Sequence, residues 1–264
     1  MQIQKHFSGK RFIKLFKLYW YENGQTTLIS LAAFSMIIMI VLFIFQSANE
    51  FRTWNTSFFM GFFLLFYIGF GLIYGGYAFP AFRKKETTIN YLLLPASAFE
   101  KYSFEFITRV VVYTVLAPCL YWLLANIEGH IAHFFFPKFK NYQFRWSEGI
   151  QSFFEQSINW EEPLIQILLL VIVGLFVVAF AGASKFRKNP LLKSVLVFGL
   201  LFGGFTFMIY LLFEVGNIHE YHKDTLLFLK TRNDPPWYVI IIFLIFPIIG
   251  LSSAAYFKLK EKEV

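Results

Sequence analysis

Six stretches without one charged side chain, at 24–48, 53–82, 110–127, 163–184, 194–213 and 235–257, limit this chain to one kind of surroundings. A bilayer core about 30 Å thick takes about 20 helical residues to cross. In lipid the backbone has no water to bond to, so a spanning segment must satisfy its own polar groups, and a helix does so locally. The pattern predicts an all-α integral membrane protein with six transmembrane helices. The third stretch is the shortest and borrows a turn from more polar residues starting near Ser103. Composition agrees, with 57% of 264 residues hydrophobic and 15% charged, where soluble domains carry about 45–50% and 25%. No polar segment is long enough for a separate soluble domain, so residues 1–264 read as a single transmembrane domain. The first stretch is longer than the ~7–15-residue apolar region of a signal peptide and is expected to stay attached.

Lys and Arg counts in the loops set the orientation. Seventeen of the 24 basic residues fall on one side with six carboxylates, and seven on the other with ten. Both ends of the chain are therefore expected in the cytoplasm, with the protein a multi-pass component of the inner (cytoplasmic) membrane. The formal charge of +8 is then an insertion signal and an attraction to anionic lipid, and no nucleic-acid partner is expected. Within residues 1–23, Phe12, Ile13, Phe16, Tyr19 and Trp20 share one helical face, while Lys10, Lys14 and Lys17 fall elsewhere. This predicts an amphipathic helix lying in the inner headgroup plane.

On the opposite side, the 37-residue loop 126–162 is rich in aromatic rings and is expected to fold back onto the outer membrane interface. Ser147 is placed to cap a short helix with Ile150, Phe153, Phe154 and Ile158 on one face. The loop 214–234 holds an apolar patch, 226–229, expected to dip into the membrane. Two HxxH pairs, His130/His133 and His219/His222, lie on this side near Glu128, Glu220 and Asp224. Imidazole with carboxylate suits a transition metal, but such short motifs are more often interfacial polar residues, and no metal or cofactor is expected.

The most informative polar stretch is KKETTINYLLLPASAFEKY, residues 84–102, between spans two and three on the cytoplasmic side. Thr87 or Thr88 is expected to cap a helix of about two turns running to Leu94, where Pro95 forbids continuation. Ser97-Ala98-Phe99-Glu100 then has the spacing of a capping box that opens a new helix. The result is a short helix, a sharp turn and the start of span three. Glu105 and Arg109 follow at i,i+4 spacing, either as a pair reaching for the headgroups, the expected case, or as groups on a path through the membrane. Gly71/Gly75 and Gly199/Gly203 allow close helix approach. Cys119, the single cysteine, precludes an intramolecular disulfide and is expected to be a small buried apolar group.

The basic cluster, the short helix and the string Leu94-Pro95-Ala96-Ser97-Ala98-Phe99-Glu100-Lys101 resemble the cytoplasmic loop of ABC-2 type permease subunits of ATP-binding-cassette exporters. Six spans, both ends inside and an amphipathic N-terminal helix are similar to that family as well. The resemblance implies a coupling segment at 83–101. Arg83, Lys84, Lys85, Glu86, Thr87, Asn90, Tyr91 and Leu94 would dock on a separate cytoplasmic ABC ATPase, and Pro95, Ser97 and Glu100 would form the elbow. It also implies work as a homo- or heterodimer of permease chains. The chain contains no GxxxxGK[ST], so it is not expected to be an enzyme itself. Two other readings stand beside this one. One is a polytopic scaffold that recruits an envelope partner through its aromatic external loop, and the other is a membrane enzyme using the external histidines.

Overall fold

A computed structural model describes residues 7–48, 56–83, 85–135, 143–155, 162–186, 188–210 and 237–263. Every regular element among them is helical. In chain order they are α1 (Gly9–Ala48), α2 (Thr56–Gly76), a 3₁₀ turn (Pro80–Arg83), α3 (Lys85–Leu93), α4 (Ala98–Phe106), a π-helical turn (Ile107–Val111) and α5 (Val112–Phe135). They continue with α6 (Trp146–Glu155), α7 (Glu162–Lys185), α8 (Pro190–Tyr210) and α9 (Trp237–Glu263). Among the described residues, four helical segments are long and apolar enough to cross a membrane: Gly9–Ser47, Thr56–Gly76, Ala98–Phe135 and Ile165–Lys185. The loop 214–234, with His219, His222 and the patch 226–229, lies outside the described residues.

The chain divides into two units, Met1–Gly71 with Leu93–Trp160, and Leu72–Leu92 with Glu161–Val264. In the first unit α1 packs along α5; Ile38, Leu42 and Gln46 of α1 and Tyr121, Leu124, Ala125, Glu128 and Ala132 of α5 are all buried, and Gln46 meets Glu128 on this seam. Cys119 lies on the other side of α5 and is exposed there, together with Val115, Leu116, Trp122 and Leu123. Its expected burial is corrected: in a membrane chain an apolar face need not be covered by protein.

Tyrosine hydroxyls join α2 to α5. Pro118 inside α5 has no N–H to offer the carbonyl four residues back. That carbonyl, Thr114 O, instead accepts from the Tyr67 hydroxyl of α2 at 3.3 Å. Tyr113 returns a bond to Tyr67 O at 2.9 Å and Tyr121 to Phe59 O at 2.6 Å. The aromatic loop also packs on this unit. Asn126 brackets the backbone of Phe144, accepting from its N–H at 2.9 Å and donating to its carbonyl at 3.4 Å. The Phe144 ring is buried against Tyr121 and Trp146. Phe144, one of the loop's aromatic residues, is thus buried in protein. Ser147 lies within α6, which starts at Trp146, so it is not the cap.

In the second unit α7 packs on α9 and α8. Gly75 fits against α7, where a Cβ would come within 3.0 Å of Phe176 O. Gly182 faces Ser194 so closely that no side chain fits. Among the described residues, Gly199 and Gly203 face open space within 4 Å, so the close packing expected at that pair is not found.

Candidate functional site

The segment 83–101 is divided between the units: its residues to 92 belong to the second and those from 93 to the first. In the second unit, the chain leaves α2 through Phe79, whose φ of 51° is unusual for a side chain of this size. The cost of that backbone, about 1–2 kcal/mol, is offset by complete burial of the ring against Phe82 and Phe180. Phe82 is gripped further. The Tyr91 ring meets it edge-on with centroids 5.6 Å apart, and the Lys262 ammonium lies 4.0 Å from its centroid while donating to Ser184 O at 2.8 Å. Arg83 ends the 3₁₀ turn with its guanidinium 4.1 Å over the Tyr77 ring.

These contacts sort the expected docking residues. Tyr91 faces inward to Phe82 and forms the base of α3. Thr88 is no cap: α3 starts at Lys85, and the Thr88 hydroxyl donates to Ala81 O at 2.9 Å, tying α3 to the preceding turn. Thr87 is likewise inside α3; its side chain and those of Lys85 and Asn90 lie outside the described structure, as does Lys84. Glu86 is exposed in the first turn. The outward face of α3 continues with Ile89, 51% exposed, and Leu93, 75% exposed, one turn apart. These two form an exposed apolar edge at i,i+4 spacing.

In the first unit the chain turns at Leu94-Pro95-Ala96, where Ala96 N–H donates to Leu94 O at 2.7 Å, a γ-turn geometry. The expected capping box is present and opens α4. The Glu100 N–H donates to Ser97 Oγ at 3.2 Å, and Glu100 Oε2 accepts from the Ser97 N–H at 2.9 Å. Glu100 does more than cap. Its side chain is 0% exposed and forms an ion pair with Arg11 of α1. Arg11 Nη2 donates to Oε1 at 2.8 Å and Nε reaches both oxygens at 3.1 and 3.2 Å, while Ser8 N–H donates to Oε1 at 2.7 Å. Charge-assisted bonds to both carboxylate oxygens fix direction as well as distance.

Above this pair, Phe12, Phe16 and Tyr19 on successive turns of α1 surround Phe104 of α4, with centroids 6.2, 6.5 and 5.4 Å away. Part of the face expected to lie on lipid is therefore covered by α4. α1 runs on through residue 24 as one helix of 40 residues, about 60 Å long. No proline interrupts it, and at Gly24 the Trp20 indole packs over the bare backbone. The in-plane helix and the first span are one rod. Ile13 and Trp20 remain exposed.

Glu105 and Arg109 form an ion pair at 3.6 Å with side chains 5% and 11% exposed, and Arg109 Nη2 donates to the Tyr19 hydroxyl at 3.4 Å. The pair is mostly buried and reaches Tyr19 of α1. Arg109 also lies in the π-helical turn, a local widening often found at functional sites. There the Thr108 hydroxyl donates to Phe104 O at 2.8 Å. At the far end of α5, His130 is exposed and His133 half-buried, with no group of three metal-binding side chains among the described residues. Glu128 lies on the buried seam, away from His130. Comparison of the chain with protein-family models, with characterised proteins and with solved structures finds no match.

Proposed function

We propose that the chain is the transmembrane subunit of an ABC-2 type exporter, with six spans, both ends cytoplasmic, forming a translocation path as a dimer and driven by a separate ATPase. The observation that carries this reading is the elbow. A nine-residue helix with an exposed apolar edge, Ile89 and Leu93, ends in a tight turn at Pro95. A reciprocally capped helix follows and continues through a π-helical turn from Ala98 to Phe135. A push on α3 is then transmitted to a rod of 38 residues, tilting it between inward- and outward-open arrangements. The ATPase supplies the free energy, and this chain supplies the lever and the path.

The docking edge is tested with the double variant Ile89→Asp/Leu93→Asp. Burying two unpaired charges at an interface costs several kcal/mol, on the order of a 100-fold or greater loss of affinity. Normal membrane level with loss of the co-purifying ATPase and of substrate-stimulated ATP hydrolysis is expected. Unchanged ATPase association would reduce α3 to a connector, and stoichiometric co-purification of an envelope protein without an ATPase would favour the scaffold. Orientation is tested separately in a Cys119→Ala background. A membrane-impermeant thiol reagent should label Ser147→Cys in intact cells and leave Lys188→Cys unlabelled; the reverse pattern overturns the topology.

A further inference from the structure

One buried ionisable group takes no part in the elbow. Glu128 is 1% exposed on the α1–α5 seam, opposite Gln46 at 5%. Gln46 Nε2 donates to Glu128 Oε2 at 3.0 Å. The remaining oxygen of each group, Glu128 Oε1 and Gln46 Oε1, is buried without a hydrogen-bond partner. Among the described residues Glu128 has no ion pair.

The neighbours do not supply the missing donor. α1 presents Gln46, and on α5 itself Tyr121, seven residues earlier, commits its hydroxyl to Phe59 O of α2 at 2.6 Å. His130 is exposed, and His133, five residues on, lies about 140° around the helix. An isolated carboxylate in an apolar seam carries a large desolvation penalty, and two buried acceptors without a donor add to it. One proton removes both problems. Placed on Glu128 Oε1, it makes the group neutral and gives the seam a donor where two acceptors stood without one. Cation coordination would want six or more oxygens, whereas Glu128 and Gln46 together bring three, two of them without a partner.

We propose that Glu128 is a proton-binding site, a neutral carboxylic acid closing a reciprocal acid–amide pair with Gln46 between α1 and α5. The ligand is a single proton, and its occupancy is linked to helix packing. Loaded, the seam is dry and closed. Emptied, it holds a charge that needs water or a cation, so α1 and α5 must part to admit one. The inference is independent of the exporter reading, because it rests on the two orphan oxygens alone.

The test uses the purified full chain in lipid nanodiscs. Infrared spectroscopy should show the carbonyl band of a protonated carboxylic acid that is missing from Glu128→Gln, a variant that keeps the shape and the partner of Gln46. In Gln46→Leu the acid band should persist and move to higher frequency, because its hydrogen bond is lost. Dicyclohexylcarbodiimide reacts with carboxyl groups in their protonated form; it should modify Glu128, as read by peptide mass spectrometry, and less so as pH rises. Absence of any acid band assignable to Glu128 overturns the proposal. So does protection from the carbodiimide by sodium at constant pH, which would make the seam a metal-cation site.

Discussion

Glu100 and Glu128 are both buried in the first unit, 0% and 1% exposed, yet their surroundings are opposite. Glu100 receives the guanidinium of Arg11 and the N–H groups of Ser8 and Ser97. Glu128 receives one amide N–H, from Gln46. Burial alone therefore says little about what a carboxyl does; the donors that come with it decide. Glu100 is an anion used as a fastener, holding the start of α4 to the start of α1. Glu128 is an acid kept neutral by carrying its own donor.

Breaking the fastener is the most damaging way to probe this contrast. Arg11→Met leaves the Glu100 carboxylate buried without its cation, and removing one member of a buried pair is worse than removing both. Faster hydrogen exchange over 8–16 and 97–106 and a lower thermal midpoint in detergent are expected. Restoration of the midpoint by Arg11→Met/Glu100→Gln would tie the damage to the stranded charge. If Arg11→Met melts like the wild type, the ion pair does not hold the elbow.

The same conservative change at both carboxyls sharpens the comparison. Glu100→Gln removes a charge that Arg11 requires, and it should lower the midpoint clearly. Between them falls Ser97→Ala, which removes only the side-chain half of the cap and should cost about 1 kcal/mol, read as a small downward shift in midpoint. Glu128→Gln should have the smallest effect, within about 1 kcal/mol, because volume is conserved and an amide replaces an acid that already donated. A Glu128→Gln midpoint as low as that of Glu100→Gln would mean that both sites hold anions, and the contrast would collapse.

Much of the elbow was legible because its signals are local. Pro95 cannot continue a helix and Ser97 with Glu100 has the spacing of a reciprocal cap, so the turn and the start of α4 follow from eight consecutive residues. Capping at Thr87 or Thr88 failed because the preceding turn supplied another partner, Ala81 O, for the Thr88 hydroxyl. Which face of α3 turns inward was not legible for a similar reason. Periodicity says which residues share a face, but Phe82 decides that the face bearing Tyr91 turns inward. The amphipathic region and the first span continue as one helix because nothing in 20–25 interrupts the backbone.

By itself the sequence determined that the chain is helical and membrane-compatible, because long uncharged segments must satisfy their own hydrogen bonds. It also determined where the elbow turns, because proline chemistry and side-chain caps act within a few residues. Only the tertiary structure decided which charges are partnered. Arg11 meets Glu100 across 89 positions and Gln46 meets Glu128 across 82. Contacts at such separation depend on how whole helices pack, and no local pattern records them. The same carboxyl side chain thus becomes a fixed anion beside Arg11 and a proton carrier beside Gln46, because electrostatic environment is a property of neighbours in space.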